Sequence, residues 1–117
     1  MTERKQAIEQ CLLFADVYED YPFDDNWTAM RHKDNKKTFA FIYRYKNQMR
    51  INLKVRPEMG FYLRQRYQSV TEAYHMNKLH WVTVVLDDSV PDSEIATWLK
   101  DSYELTATKK LQTKYLR

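Results

Sequence analysis

Tyr74-His-Met-Asn-Lys-Leu-His-Trp-Val-Thr-Val-Val-Leu86 is the stretch on which the reading of this chain turns. His75, Asn77, Lys78 and His80 crowd the approach to Trp81, and an apolar run of Val and Leu follows. That run has the length and β-branched content of a buried strand. Asn tolerates left-handed backbone and can bond neighbouring backbone groups through its side chain, so Asn77 suits a loop that breaks before a strand. Trp81, large and amphipathic, suits an anchor holding that loop to the core. Lys78 and His80 then project where the strand begins.

On the N-terminal side, Met49, Ile51, Leu53 and Val55 alternate with Arg50, Asn52, Lys54 and Arg56, the cleanest period-two pattern in the chain. It predicts a strand over 48–55. Lys46-Asn47 reads as a tight turn joining it to an aromatic-rich strand over 38–45, and Trp27 to His32 as a further short strand. Ile8, Cys11, Leu12 and Ala15 recur at helical spacing, predicting an amphipathic helix over 3–17. Pro57 opens a second helix to about Tyr67, expected to bury Met59, Leu63 and Tyr67. Residues 69–79 read as loop.

On the C-terminal side, Asp87-Asp-Ser-Val-Pro91 turns the chain into a last helix. Asp92 and Glu94 suit the dipole of its first turn, and Ile95, Trp98, Leu99 and Ser102 form its inner face. The tail over 106–117 is expected to start helical and then fray. The order helix, three strands, helix, strand, helix predicts an α+β fold in two layers. An antiparallel sheet of about four strands is covered by helices on one face, in one domain spanning 1–117.

Composition agrees with a folded chain. Of 117 residues, 44% are hydrophobic, 15% aromatic and 30% charged. A single cysteine, Cys11, allows no internal disulfide and reads as a buried small hydrophobe on a helix stripe. Met1-Thr-Glu-Arg-Lys-Gln6 lacks the apolar run of a signal peptide, and no stretch approaches the ~20 apolar residues of a membrane span. The expectation is a cytoplasmic monomer with no membrane partner, although a homodimer stays open. One glycine, Gly60, excludes the glycine-rich phosphate loops of nucleotide-binding folds. Cys11, His32, His75 and His80 share no zinc spacing. Asp24 and Asp25 read as solvated turn residues; with Asp16, Glu19 and Asp20 they would make at most a loose site for a hard cation. No nucleophile–base pair stands out, so neither catalysis nor a cofactor is expected.

The net charge is only +3, but it is unevenly spread. Seven basic residues and no acid lie between Asn35 and Pro57, and five acids and no base between Asp16 and Asp25. The hairpin register decides how the basic residues are displayed, because a one-residue slip exchanges faces. With Tyr45 opposite Met49, the aromatics Phe39, Phe41, Tyr43 and Tyr45 join the aliphatic core and leave Arg44, Arg50, Asn52, Lys54 and Arg56 outside. With Tyr45 opposite Gln48, the aromatics lie beside Arg50 and Lys54 on the open face, as on a stacking platform for single strands. At ~25 cal/mol per Å², burying four aromatics favours the first register.

Several stretches together resemble the MmcQ/YjbR family: Pro22-Phe-Asp-Asp-Asn-Trp27, Lys37-Thr-Phe-Ala-Phe-Ile42, Ile51-Asn-Leu-Lys54, Pro57-Glu-Met-Gly-Phe-Tyr-Leu-Arg64, the Asn77-Lys-Leu-His-Trp81 element, Leu86-Asp-Asp-Ser-Val-Pro-Asp-Ser-Glu-Ile95 and Asp101-Ser-Tyr103. They follow the family's order across nearly the whole chain. The resemblance implies a double-wing, CyaY-like fold and a DNA-binding protein. The glycine-free Lys46-Asn47 turn departs from the longer or Gly-containing loops frequent in the family.

Two functional readings follow. In the first, Arg44, Arg50, Lys54, Arg56, Lys78 and His80 contact the phosphates of DNA, with Tyr43, Tyr45 or His80 available for stacking. In the second, the loop of His75, Asn77, Lys78 and His80 binds a small anion or a protein. The plainer expectation for the basic face is solubility and edge protection. For the motif it is a lock in which Asn77, Trp81, Ser102 and Tyr103 hold the loop against the last helix.

Overall fold

The alternating stretch of Gln48–Lys54 forms a central strand of a six-stranded antiparallel sheet. The computed structural model describes residues 1–108, so the expected fraying of the tail over 109–117 lies outside the described residues. In chain order the elements are α1 (Arg4–Cys11), β1 (Val17–Asp20), β2 (Thr28–His32), β3 (Thr38–Tyr45), β4 (Gln48–Lys54), α2 (Pro57–Arg66), β5 (Val70–Glu72), β6 (Trp81–Val85) and α3 (Asp92–Thr106). The spatial strand order is β1-β2-β3-β4-β6-β5. α2 and β5 together bridge the one departure from sequential pairing.

The helices lie on one face. There Ala40 and Ile42 of β3, Ile51 and Leu53 of β4, and Val82 and Val84 of β6 are buried. They form one core with Ala7 and Cys11 of α1, Leu63 of α2, and Ile95, Trp98, Leu99 and Tyr103 of α3. The two-layer α+β expectation holds, but the sheet has six strands rather than about four.

The additional strands are the short ones. β1 begins at Val17, the last residue of the stretch expected to be helical. α1 stops at Cys11, and Asp16 takes left-handed backbone (φ 56°) that starts β1. The carbonyl of Ala15 accepts a hydrogen bond from Tyr103 Oη at 2.8 Å instead of serving a helix. Phe14 turns inward onto Tyr103, 4.7 Å between near-parallel rings. Leu12, expected on the buried stripe, is exposed. β5 has three residues, too few for a periodic signal, and falls in the expected loop.

α2 meets the sheet through Gly60. A methyl there would come within 3.0 Å of Val55 Cγ2 and 3.5 Å of Val82 Cγ1, so a larger residue requires Val55 to give way by a few tenths of an ångström. With Gly60 and Leu63 facing inward, Met59 points outward and is exposed, contrary to expectation. Tyr67 packs edge-on against Trp98.

Ser102 of α3 joins the layers. Its Oγ donates to the Phe39 carbonyl at 2.6 Å and accepts from Lys54 N at 2.9 Å. A register shift between Met30 and Arg31 breaks the ladder nearby, and His32 is buried against Phe39 and Tyr103.

Candidate functional site

The β3–β4 hairpin closes through two residues, Lys46 and Asn47, both with left-handed backbone (φ 51° and 62°). Such a turn matches the twist of the strands it joins. A two-residue loop sets Tyr45 opposite Gln48, Tyr43 opposite Arg50 and Phe41 opposite Asn52. The register favoured on burial grounds, with Tyr45 opposite Met49, needs a third loop residue and is overturned. Phe41, Tyr43 and Tyr45 therefore share the helix-free face with Arg50 and Lys54.

This face has a cover of its own, which gives the aromatics a second place to be buried. The chain between β5 and β6 folds across it. Asn52, fully buried, accepts from Tyr43 Oη at 2.8 Å and Thr83 Oγ1 at 2.6 Å through Oδ1, and donates to the Tyr74 carbonyl at 2.9 Å through Nδ2. Thr83 Oγ1 accepts from Tyr74 N at 2.9 Å. Tyr74 is thereby laid over Tyr45, with ring centroids 4.4 Å apart, and Trp27 stacks on Tyr43 at 4.0 Å and 11°. Tyr43 is wholly buried and cannot stack on a ligand.

Arg4, which the sequence reading passed over, steadies the turn before Trp27. Its guanidinium donates to the Asn26 carbonyl (2.7 Å), Asn26 Oδ1 (2.9 Å), Thr28 Oγ1 (3.0 Å) and the Ile42 carbonyl (2.9 Å). Asp24 Oδ1 accepts from Asn26 N and Trp27 N, so it caps the turn.

The six proposed contact residues divide. Arg50 and Lys54 stand on the outer face, opposite Val85 and Trp81 of β6. The Arg50 guanidinium lies 5.3 Å from the Tyr45 ring centroid and the Lys46 ammonium 5.4 Å from it. Arg44 pairs with the core residue Met49 and therefore belongs to the helix side. Arg56 lies beyond β4 as the N-cap of α2, and its charge acts on Asp101 of α3. Lys78 and His80 are exposed on the loop; Lys78 Nζ donates to the Ala73 carbonyl at 3.0 Å.

The expected lock against α3 does not form. Ser102 and Tyr103 work on the helix side, while Trp81 faces outward with the loop. Asn77 Oδ1 accepts from Leu79 N and His80 N, and the left-handed residue is His75 (φ 60°) rather than Asn77.

On the far side of Trp27 lie further rings that, among the described residues, stay at least partly open to solvent. Phe23 is 73% exposed, and Phe41 and Trp81 are partly exposed. Phe23 and Phe41 are near-parallel (20°) with centroids 6.5 Å apart, and Trp27 stands across both at 82° and 72°. Trp81 lies 6.4 Å from Phe41.

A family model described as YjbR matches residues 12–105, from the end of α1 through nearly all of α3. The chain belongs to the YjbR family. It is 38% identical over 80 residues to the uncharacterised protein YjbR of Escherichia coli strain K12, covering 68% of each chain. It is 31% identical over 99 residues to the uncharacterised protein YyaQ of Bacillus subtilis strain 168, covering 74% of this chain and 83% of that one. Among solved structures it is similar to Deinococcus radiodurans protein DR2400, domain DUF419, with a TM-score of 0.85 and 32% identity over 97% of this chain and 88% of that one. A Pseudomonas syringae protein gives a TM-score of 0.80 at 32% identity, over 90% of this chain and 99% of that one.

Elsewhere in this YjbR domain several polar side chains are buried, among them Thr28, His32, Ser69, Thr83, Ser102 and Thr106. Burial pushes the Cys11 thiol up to about 12, so it is an inert core residue. Burial also raises the Tyr43 phenol and lowers His32. A cleft of about 460 Å³ opens beside Arg50's neighbour Val85, lined by Gln48, Arg66, Tyr67, Ser69, Asp87 and Ser89. Its Asp87 carboxylate is held below the usual range by the Ser89 hydroxyl, then the Ser89 amide and Ser69. Among the described residues no group of three or more His, Cys, Asp or Glu is placed to hold a metal ion, and no helix is long and apolar enough to cross a membrane.

Proposed function

We propose that this YjbR-family protein is a non-enzymatic DNA-binding module that contacts phosphates through the outer face of its sheet. The observation that carries this reading is the two-residue hairpin, which sets Arg50 and Lys54 on the face that, among the described residues, no helix covers. Lys46, Lys78 and His80 flank that face and are exposed. Cations in this arrangement meet the sequence-independent backbone of a nucleic acid and release its counterions on binding. Arg44 and Arg56 drop out of the contact set on geometry, because they stand on the helix side and at the start of α2.

Fluorescence anisotropy with labelled DNA at low and rising salt tests the reading. Affinity falls steeply with salt, and Lys54→Ala and Arg50→Ala each reduce the logarithmic salt slope by about 1. Absence of binding at low salt refutes it. A small-anion site on the loop is the second reading, favoured by the exposure of His75, Lys78 and His80. Chemical-shift changes confined to residues 74–80 on adding anionic metabolites, with none on adding DNA, would select it.

A further inference from the structure

Not every ring on the outer face is free to meet a ligand. Tyr43 lies under Trp27, and Tyr45 carries Tyr74 on its ring with Arg50 and Lys46 beside it. Phe23, Phe41 and Trp81 remain, on the side of Trp27 away from Tyr43's hydroxyl network, next to Lys54. Resting on the nucleic-acid reading above, we infer that this corner takes an unpaired nucleobase and that the protein prefers single strands to duplex.

The chemistry of the corner separates the two forms. A duplex keeps its base faces inside its own stack and offers phosphates outward, which three hydrocarbon-rich rings cannot use. A single strand offers phosphates and bare base faces together, and every base has a face that stacks. Phe23, on a turn and 73% exposed, offers open ring surface on which a base can stack, with Phe41 near-parallel to it and Trp81 beside Phe41.

Charge sets the path of the backbone. Asp24 and Asp25 follow Phe23 and repel phosphate on that side. Lys54 lies opposite Trp81, and Arg50 stands four residues back along the same strand face, roughly 13 Å away at strand rise. The base enters at Phe23 and Phe41 with its phosphate toward Lys54, while between Lys54 and Arg50 the face is closed over Asn52 by Tyr74. No polar group of these three rings except the Trp81 indole N–H can read a base edge, so stacking is tolerant of sequence.

Anisotropy with labelled dT20, U20 and a 20-base-pair DNA duplex, all at one low salt concentration, tests this. At least one of the two single strands binds ten-fold or more tightly than the duplex. Phe23→Ala weakens single-strand binding by about 5- to 100-fold, the range for loss of one base stack. Phe23→Tyr retains the binding, and circular dichroism confirms that both variants fold. Duplex binding equal to that of both single strands, or unchanged single-strand affinity in Phe23→Ala, overturns the inference and leaves the phosphate-contacting reading standing. Failure of all three probes to bind removes both.

Discussion

Asn52 is the residue that fixes the outer face. It is fully buried in a sheet, where an apolar residue costs less, and it holds Tyr43, Thr83 and the Tyr74 carbonyl at once. Truncation strands buried partners, and each unsatisfied group costs on the order of 1–3 kcal/mol. Asn52→Ala is therefore expected to lose about 2–3 kcal/mol in urea unfolding and to release the loop, seen as faster amide exchange over 73–80. His32 gives a second prediction. Burial holds its pKa below the ordinary 6.5, and its Nε2 lies 2.8 Å from Thr106 Oγ1. The unfolded chain then binds more protons than the folded one. Its contribution is complete above pH 6.5 and is lost as pH falls from there through the lower folded value. The urea midpoint should fall between about pH 7.5 and pH 5.5, and fall less in His32→Gln. Asn52 was visible in the sequence only as one polar residue in an alternating strand. Its partners come from β3, β6 and the loop, which no local pattern connects.

At the scale of elements, the Lys46-Asn47 turn does the deciding. The sequence reading identified it as a tight turn. Counting its residues settles the register, since a two-residue loop allows only Tyr45 opposite Gln48. The burial argument pointed the other way because it gave the aromatics only one place to hide, whereas the loop over 73–80 supplies a second. Asn47 at φ 62° stands where Gly is preferred and β-branched residues are strained. Asn47→Gly is expected to hold or gain up to about 1 kcal/mol, and Asn47→Val to lose about 1–2 kcal/mol, in chemical denaturation. β2, β3, β4, β6, α2 and α3 were legible because they are β-rich or periodic, or because proline or first-turn acids mark where they start. β1 and β5 were not: four and three residues carry too little pattern, and the break after Cys11 depends on Tyr103, some ninety residues away in sequence.

For the whole molecule, the sheet separates two kinds of work. One face is an aliphatic core under three helices, where Ser102 and Tyr103 of the family motif hold the layers together. The other face is aromatic and basic, where Trp81 of the same motif stands opposite Lys54 of β4. The motif is thus divided by the sheet, with Ser102 and Tyr103 on one side and Trp81 on the other. The sequence placed Arg50 and Lys54 together by their spacing, but grouped Arg44 with them because only the register separates it.

Chemical-shift mapping of the ¹⁵N-labelled protein with dT20 at low salt tests the central claim most directly. The account predicts shifts at Phe23, Trp27, Phe41, Arg50, Lys54 and Trp81, including the Trp27 and Trp81 indole N–H signals, with the Trp98 indole under the helices unmoved. Shifts confined to the helical face, or none, would contradict it.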